Sequence, residues 1–358
     1  MFDLNTIINI PPYSLNKGDK SALFNMAIAS LTAHHYERCE NYHRILRTLN
    51  YNCHSETDYY DSPFLPVRLF KDFDLLSVEK SEISKTMTSS GTSGQKVSRI
   101  YLDKTTAVLQ TKVLNKIVSE TIGQQRLPLL IIDSRSVVKN RALFSARGAG
   151  ILGFSMFGKD VTYALDESME LDADSIASFY EKYNSDKCLI FGFTYIIWEY
   201  FIRKLIETDQ KLLLDKSIII HGGGWKQLNE QAIDNELLKK HIIETCGISN
   251  VFNYYGMVEQ TGSIFTECEE GYLHCSIFSD VITRRDDFSI CDKNERGLVQ
   301  LLSLIPVSYP GHNLLSEDIG EILGEDDCKC CRLGKYFRIY GRAENAELRG
   351  CSDTVERI

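Results

Sequence analysis

The sequence has few prolines, no long apolar run and no long basic run. With 7 prolines in 358 residues and no Pro/Gly/Ser-rich linker, any domains are expected to pack together. The longest apolar stretch, Phe191 to Ile202, is interrupted by Glu199 and is too short to cross a bilayer. Forty Lys and Arg against 49 Asp and Glu give a formal net charge of −9. This balance argues against nucleic acid or an anionic membrane as partner.

The N-terminus also lacks a signal-peptide pattern. Residues 1–20 include Asp3 and show no basic start followed by an apolar run, so we expect a cytoplasmic protein. The 11 cysteines are an odd number, and most are scattered singly. In a large cytosolic chain this favours reduced thiols, with a metal site or a reactive cysteine as further options. The chain is 43% hydrophobic, and its length suggests roughly two domains of about 150 residues.

Helical and strand-like patterns alternate through the middle of the chain. Helices are predicted at 19–49, after Asp103 as N-cap, from 174, at 195–206 and through 237–242. Strands are predicted at 129–132, 188–191, 217–220 and near 251. The alternation predicts α/β architecture with a parallel or mixed sheet. From about residue 281, short alternating runs such as 298–302 and 336–339 predict a β-rich subdomain.

A loop of small residues at 88–96, T-S-S-G-T-S-G-Q-K, has the composition of a phosphate-binding loop. Glycine lets the backbone approach an anion, and hydroxyl and N–H groups donate hydrogen bonds to phosphate oxygens. Lys96 adds a positive charge. The spacing is not that of a Walker loop, and a flexible linker is the alternative interpretation. The candidate ATP-binding residues here are Ser89, Ser90, Gly91, Thr92, Ser93 and Gly94.

Three consecutive glycines, Gly222, Gly223 and Gly224, follow the strand predicted at 217–220. They would leave an open shelf at its carboxyl end, where open α/β sheets bind ligands. The alternative interpretation is a tight strand-to-helix turn, with the preceding His221 packed in the core.

A third motif, N-Y-Y-G-M-V-E, covers residues 253–259. Asn253 could hydrogen-bond the edge of a base and Tyr255 could stack on it, with Gly256 forming a turn. The carboxylate of Glu259 could hold Mg²⁺ through its hard oxygen atoms. Taken alone, aromatic residues beside a strand usually belong to the core.

In this order, the loops resemble the adenylate-forming (acyl-CoA synthetase-like) superfamily. S-S-G-T-S-G-Q-K resembles its phosphate loop, and N-Y-Y-G-M-V-E resembles its N-x-Y-G-x-x-E adenine and magnesium motif. S-E-D-I-G at 316–320 is similar to its G-D-x-G motif, with Glu317 in place of the first glycine. The resemblance implies that Asp318 binds the ribose hydroxyls. Gly341-Arg342 is similar to its later G-R motif, which implies that Arg342 meets ribose or phosphate.

Three stretches resemble one family more narrowly, the acyl-protein synthetase (LuxE) family. They are H-G-G-G-W-K, Y-Y-G-M-V-E-Q-T-G-S-I-F and R-G-C-S-D-T. That family is the ATP-dependent component of the bacterial bioluminescence fatty-acid reductase complex. The resemblance implies that ATP and Mg²⁺ activate a long-chain fatty acid as acyl-AMP, with Lys96 and Glu259 as catalytic residues. It implies that Cys351 then holds the acyl group as a thioester for a partner acyl reductase within a multi-subunit complex.

The sequence predicts four regions. They are a helical N-terminal segment at 1–80, an α/β adenylate-forming core at 81–280, a β-rich subdomain at 281–342 and a short tail at 343–358 that carries the acceptor cysteine. The expected fold class is therefore α/β, similar to the large domain of adenylate-forming enzymes. Sixteen residues follow Arg342, so we expect a truncated tail in place of the usual mobile C-terminal domain.

Two other functions stay open at the level of sequence. A ligase with the same chemistry could load CoA or a carrier protein in surface-polysaccharide or secondary metabolism. A non-catalytic acyl-binding or scaffold subunit is the second alternative. A scaffold would need none of Lys96, Glu259 and Cys351, which argues against it.

The cysteine-rich run D-C-K-C-C-R at 327–332 allows a zinc site or a reduced turn. Cys328, Cys330 and Cys331 lack the usual C-x₂-C pairing of zinc ligands, so the sequence favours the reduced turn. A zinc site would need a further ligand from elsewhere in the chain. The candidates are His312, Cys275 and Cys268.

Overall fold

The computed structural model describes residues 2–53, 58–89, 96–138, 146–223 and 234–343. Its helices are α1 (Lys17–Arg38), α2 (Glu40–Thr48), α3 (Leu69–Asp72), α4 (Lys104–Ile122), α5 (Ala146–Ser155), α6 (Ala173–Tyr183), α7 (Thr194–Ile196), α8 (Arg203–Glu207) and α9 (Asn235–Cys246). A π-helical segment, Ile197–Ile202, joins α7 to α8. Its strands are β1 (Leu65–Pro66), β2 (Ile83–Thr88), β3 (Arg99–Asp103), β4 (Leu127–Ser134), β5 (Gly158–Leu165), β6 (Leu189–Phe193), β7 (Ile218–Gly222), β8 (Asn250–Tyr255), β9 (Phe265–Glu267), β10 (Leu273–His274), β11 (Ser279–Arg284), β12 (Arg296–Ser303), β13 (Asn313–Glu325) and β14 (Lys335–Arg342).

The described residues divide into two compact units. The first unit contains residues 2–53, 58–89, 96–120 and 256–343. The second unit contains the described residues of 121–255. The first unit therefore combines the predicted helical N-terminal segment with the predicted β-rich subdomain, although these are far apart in sequence. None of the helices in the described ranges has the length and apolar character needed to span a membrane.

The second unit contains a parallel sheet with the strand order β5-β4-β6-β7-β8. Nearly every residue of β4, β6 and β7 is buried, as expected for parallel strands covered on both faces. The helices α5, α6 and α9 follow strands along the chain in this unit. The predicted alternation of helices and strands is thus confirmed, and the carboxyl ends of β7 and β8 carry two of the predicted motifs.

The first unit contains a sheet with the order β11-β12-β13-β14-β10-β9, in which these neighbours are antiparallel. The short strand β1 runs parallel to the start of β13. The predicted runs at 298–302 and 336–339 lie within β12 and β14. The antiparallel pairing of β13 with β14 matters for the site because it aligns residues that are distant in sequence.

A separate two-stranded sheet in the first unit pairs β2 with β3. Thr88 is the register partner of Arg99 at its last pair. Beyond that pair, the Ser89 amide donates to the Ser98 carbonyl oxygen at 3.1 Å, and the Ser98 amide donates to Ser89 Oγ at 2.9 Å. The hairpin therefore fixes both ends of the segment predicted to bind phosphate.

The helical character predicted for 19–49 is confirmed, but it is divided between two helices, α1 and α2. The helix is interrupted at Cys39, whose backbone is extended, with φ −109° and ψ 105°. Cys39 closes α1 by donating its amide to the His35 carbonyl oxygen and opens α2 by accepting from the His43 amide, both at 2.9 Å. No glycine or proline marks the break, so composition carried no signal for it. By contrast, Asp103 caps α4 as predicted, accepting the Thr106 amide at 2.8 Å.

A buried ion cluster joins the N-terminal helix to the sheet of the first unit. The Asp280 carboxylate on β11 lies 2.6 Å from Lys335 Nζ on β14 and 3.2 Å from Lys20 Nζ on α1. The Tyr59 hydroxyl donates to the same carboxylate at 2.8 Å. Burial raises the pKa of the Asp280 carboxyl, but the two lysines outweigh burial and bring it down to about 2. Asp280 is therefore ionised and neutralises part of the buried positive charge.

We expect Asp280→Asn to destabilise the first unit by about 3–5 kcal/mol, because two buried ammonium groups would lose their counter-ion. The change is measured as a lower midpoint in urea unfolding followed by fluorescence. Asp292→Asn is the matched control, since the Asp292 side chain is 90% exposed, and it should change stability by less than about 0.5 kcal/mol. Equal effects of the two substitutions would contradict the role of the cluster.

The same substitution should also change the pH dependence of unfolding. The folded-state pKa of Asp280 lies below the value of about 3.9 typical of an unfolded chain. Its contribution is therefore present above about pH 4 and is lost as the pH falls towards 2. The stability difference between wild type and Asp280→Asn should narrow across that window, and a constant difference would speak against it.

Candidate functional site

The two described glycines after His221 are explained by local packing and backbone conformation. A Cβ on Gly222 would lie 2.4 Å from Tyr254 Cε1, so the tyrosine ring occupies the space a side chain would need. Gly223 has a φ of +82°, in the left-handed region that favours glycine. A Cβ there would also approach the Phe193 ring at 3.0 Å. The tight-turn interpretation accounts for both residues, and their predicted contact with a nucleotide stays a prediction.

His221 is a packed, neutral histidine. Its side chain is buried, and burial followed by the charge of Lys239 lowers its pKa to about 3. Thr194 Oγ1 lies 2.9 Å from His221 Nδ1 and donates to the Gly222 carbonyl oxygen at 3.1 Å. Because the hydroxyl has one proton, Nδ1 of His221 is the donor in the first of these bonds. Thr194 directly follows β6 and His221 lies on β7, so the bond between them links the carboxyl ends of the two strands.

The aromatic residues of β8 have different environments. Tyr254 belongs to an aromatic cluster, with its ring centroid 5.5 Å from that of Phe154 and 6.3 Å from that of Phe191. Side chains alternate between the faces of a strand, so Asn253 and Tyr255 share the opposite face. Both are half-buried. The structure therefore places the ring of Tyr254, itself half-buried, in the aromatic cluster, and places Asn253 and Tyr255 on the other face of β8. Their predicted contact with adenine stays a prediction.

Glu259 lies in a 3₁₀-helical turn, Val258–Gln260, in the first unit. Its side chain is only 6% exposed. The Tyr309 hydroxyl donates to the Glu259 backbone carbonyl oxygen at 2.8 Å, and the side-chain Nε2 of Gln260 donates to the carbonyl oxygens of Leu301 and Gly311. Burial, together with the Glu259 carboxylate, raises the pKa of Tyr309, so its hydroxyl stays protonated. This turn is held rigidly from two sides and carries one carboxylate.

Asp318 and Arg342 are cross-strand partners on β13 and β14. Arg342 Nε lies 3.8 Å from Asp318 Oδ1, and Arg342 Nη1 donates to Glu317 Oε2 at 3.3 Å. All three side chains are partly exposed, at 19–23%. The structure therefore brings together the two residues that the motifs predict to contact ribose and phosphate. Glu317, the departure from the family pattern, pairs with the same guanidinium.

Gly320 is the last residue of the S-E-D-I-G motif, and close packing around it explains why it has no side chain. A Cβ there would lie 2.6 Å from a methyl group of Val299 and 2.8 Å from the Arg338 carbonyl oxygen. The register of β13 with β14 shifts between Ile319 and Gly320. The absence of a side chain thus lets the two strands approach each other beside Asp318.

Lys96 follows the segment predicted to bind phosphate and is largely exposed. Its Nζ lies 3.1 Å from Asp72 Oδ1, with the two side chains 75% and 46% exposed. Exposed ion pairs of this kind are worth less than about 1 kcal/mol. A multiply charged anion can therefore displace Asp72 at little cost.

Several predicted site residues lie outside the described residues, so the structure does not place them. They are Ser90, Gly91, Thr92, Ser93, Gly94, Gly224 and Cys351.

Sequence analysis missed a buried ion pair in the second unit. Arg147 on α5 donates to both carboxylate oxygens of Asp133 near the end of β4, at 2.7 and 2.5 Å. Both side chains are almost fully buried. The signal was an aspartate at the end of an apolar strand, where an unpaired carboxylate would be costly. The pair fixes the carboxyl end of β4.

The cysteine-rich run is organised differently from the sequence expectation. Cys328 and Cys330 lie with Cys268 and His274, and one ligand atom from each lies within 4.8 Å of all the others. Cys331 is exposed and is not part of this group. Burial, and then the charges of Arg332 and Lys20, lower the pKa of His274 to about 3, so the imidazole is neutral.

His312 and Cys275, which the sequence also offered as ligands, are not members of this group. His312 is buried against α1, where its ring stacks on His35 at 4.9 Å and its Nε2 lies 3.0 Å from Thr32 Oγ1. Cys275 is buried, and burial raises the pKa of its thiol. The described cysteines form no disulfide with one another.

Comparison with solved structures shows a common fold. The chain superimposes on 2-hydroxyisobutyryl-CoA ligase in an open conformation, in complex with 2-HIB-AMP and CoA, with a TM-score of 0.70 and 14% identity. That alignment covers 93% of this chain and 77% of the ligase. The same ligase in its postadenylation state with 2-HIB-AMP gives 0.70 and 15%, over 96% of this chain and 73% of the other. The described fold is therefore the mixed α/β fold of the large domain of adenylate-forming ligases.

Comparison with curated protein sequences gives no match. The family model described as "Acyl-protein synthetase, LuxE" matches residues 3–358, which is nearly the whole chain. The chain therefore belongs to the LuxE acyl-protein synthetase family.

Proposed function

We propose that this protein is an ATP-dependent, AMP-forming synthetase that activates a long-chain fatty acid and then carries the acyl group on Cys351. The observation that supports adenylation most directly is the pairing of Asp318 with Arg342 across β13 and β14. It places a carboxylate that can accept from ribose hydroxyls beside a guanidinium that can donate to phosphate oxygens. The family description, acyl-protein synthetase, supports an acyl substrate and a protein thioester.

In the first step, the fatty carboxylate attacks the α-phosphorus of ATP and pyrophosphate leaves. Negative charge increases on the phosphate oxygens, so positive charge and N–H donors must already be in position. Lys96 and the backbone of the preceding loop are the proposed donors. Because the ion pair between Lys96 and Asp72 is exposed and therefore weak, Lys96 is available to the polyphosphate.

Glu259 is the proposed magnesium ligand. Mg²⁺ is commonly bound through one or two carboxylates together with substrate phosphates, so a single buried carboxylate on a rigid turn fits that ion. When bound, the ion would neutralise charge on the phosphates. Asn253, Tyr255 and Gly256 remain the proposed adenine contacts, and Asn253 and Tyr255 share a strand face.

In the second step, the Cys351 thiolate attacks the carbonyl carbon of acyl-AMP, and AMP leaves with the electron pair of the broken C–O bond. A thiol with a pKa near 8.5 needs a neighbouring positive charge to ionise at neutral pH, and Arg349 is the proposed source. The thioester then passes to an acyl reductase or carrier-protein partner. We propose a cytoplasmic location for this transfer.

The direct test incubates the purified protein with radioactive long-chain fatty acid, with and without ATP. We expect ATP-dependent, hydroxylamine-labile label on the protein. Acyl-AMP without label on the protein would favour CoA or a carrier protein as acceptor. Failure to form acyl-AMP with any acid tested would reject the synthetase and favour the scaffold alternative.

Cys351→Ser should abolish the hydroxylamine-labile label while acyl-AMP formation continues, because only the acceptor thiol is removed. Cys331→Ser is the matched control, since Cys331 is an exposed cysteine that also lies towards the end of the chain. The measurement is label per chain after gel electrophoresis. Retention of label in Cys351→Ser, or its loss in Cys331→Ser, would contradict the assignment.

Arg342→Gln should raise the KM for ATP about 10- to 100-fold, the range expected for loss of a hydrogen bond to a charged group. Arg338→Gln serves as control, because Arg338 lies on the same strand but is exposed and covers the Tyr272 ring. ATP–pyrophosphate exchange reports both variants. Similar kinetics for the two would remove Arg342 from the proposed nucleotide site.

Glu259→Gln should reduce adenylation about 10²–10³-fold, as expected when a group that acts on transition-state charge is lost. A higher Mg²⁺ concentration should restore part of the rate. The exposed Glu269 provides the control variant Glu269→Gln, which should behave as wild type. A fully active Glu259→Gln protein would show that this carboxylate does not serve the reaction.

A further inference from the structure

Four potential metal ligands converge beside the sheet of the first unit. The group comprises Cys268, His274, Cys328 and Cys330, with one ligand atom from each lying within 4.8 Å of the others. Cys268 Sγ lies 4.0 Å from Cys328 Sγ, and Cys330 Sγ lies 3.3 Å from His274 Nε2. The cysteine and histidine types are those of a structural Cys₃His zinc site.

The distance between the sulfur atoms of Cys268 and Cys328 fits two ligands of a tetrahedral metal site better than a disulfide. Zn–S bonds of about 2.3 Å in a tetrahedron separate two sulfur atoms by about 3.8 Å. The 4.0 Å between Cys268 Sγ and Cys328 Sγ is close to that value and about twice the length of an S–S bond. Three of the four residues are buried and Cys330 is half-buried, so few waters could compete for an ion.

The ligands are presented by two tight turns. Cys268 begins one turn, accepting the Gly271 amide on its carbonyl oxygen at 3.0 Å and donating its own amide to the Tyr272 carbonyl oxygen. Cys328 begins the other, accepting the Cys331 amide at 3.0 Å. In each turn a residue with positive φ, Gly271 or Cys331, reverses the chain. Such turns give cysteine sulfur atoms fixed directions.

Backbone amides also point at the sulfur atoms. The amides of Glu270 and Tyr272 hydrogen-bond to Cys268 Sγ, and the amide of Arg332 hydrogen-bonds to Cys330 Sγ. These donors suit thiolate ligands, which accept hydrogen bonds while bound to a metal. The guanidinium of Arg332 covers the ring of Tyr13 at 4.7 Å, and that ring meets the edge of His274. Three thiolates, a neutral imidazole and Zn²⁺ carry a net charge of −1, which this cation complements.

The fourth ligand is held by aromatic packing. The His274 ring stacks on Tyr336 with centroids 5.6 Å apart, and the Tyr13 ring meets its edge at 6.2 Å. His274 lies on β10, which pairs with both β9 and β14. The ring therefore has a fixed orientation towards Cys330.

We propose that Cys268, His274, Cys328 and Cys330 bind one structural Zn²⁺ ion. All four tetrahedral positions would be taken by protein ligands, so the site has no open position for substrate and serves stability. The ion would join the β9–β10 turn to the loop between β13 and β14. This inference is independent of the acyl-transfer proposal.

The test measures zinc in the purified full-length chain by mass spectrometry, after removal of any affinity tag and gel filtration under reducing conditions. We expect about one zinc per chain. Cys268→Ser and Cys330→Ser should lose most of it. Cys331→Ser is the matched control from the same loop and should keep about one equivalent, because Cys331 is outside the cluster.

A second measurement keeps the proposal testable if the cysteine variants fail to fold. The wild-type chain, stripped with a chelator and loaded with Co²⁺ alone, should show the thiolate charge-transfer and d–d absorption bands of a tetrahedral site. Chelation should also lower the Tm by at least about 5 °C. Wild-type protein with neither bound zinc nor a tetrahedral Co²⁺ spectrum would overturn the proposal. Equal metal loss in Cys331→Ser and Cys330→Ser, or a Cys268–Cys328 disulfide in the purified chain, would do the same.

Discussion

The first unit depends on a carboxylate buried between two ammonium groups. Asp280, Lys20 and Lys335 come from β11, α1 and β14, so three distant segments must be in place before the cluster is complete. A partly formed unit would bury unpaired charge, which is more costly than leaving it in water. The N-terminal helix is therefore part of the same folding unit as the sheet, even though more than 200 residues separate them in sequence.

The strand β14 links the main features of this unit. It begins at Lys335 in the ion cluster, pairs with β10 beside the cysteine–histidine cluster and ends at Arg342 opposite Asp318. The ion pair at Lys335, the pairing of Arg342 with Asp318 and the pairing with β10 together determine the position of this strand. The proposed nucleotide contact is therefore built on a strand whose register is set by charge pairing and packing remote from it. This arrangement is typical of sites that need fixed geometry.

The sequence predicted those parts of the structure that have a local signal. Continuous apolar runs identified the parallel strands, and Asp103 identified the start of α4. The break at Cys39 has no glycine or proline to mark it, so it was missed. The role of Tyr254 above Gly222 was also missed, because the contact arises only when β8 lies beside β7.

Non-local contacts account for the remaining differences. Motif resemblance gave Asp318 and Arg342 separate roles, and only the antiparallel register of β13 and β14 places them opposite each other. The cysteine–histidine cluster requires β10 to pair with β14, which brings Cys268 to Cys328. No spacing rule within one segment could identify such a pair.

The burial of most described cysteines has a consequence for chemical selectivity. An acyl-adenylate is an electrophile that acylates any accessible thiolate. Burial raises the pKa of Cys188 and of Cys246 to about 11, so these thiols are protonated and shielded at neutral pH. Cys331 is the exposed cysteine among the described residues. Burial of these thiols would thus limit side reactions with the proposed acyl-adenylate and favour an accessible acceptor thiol.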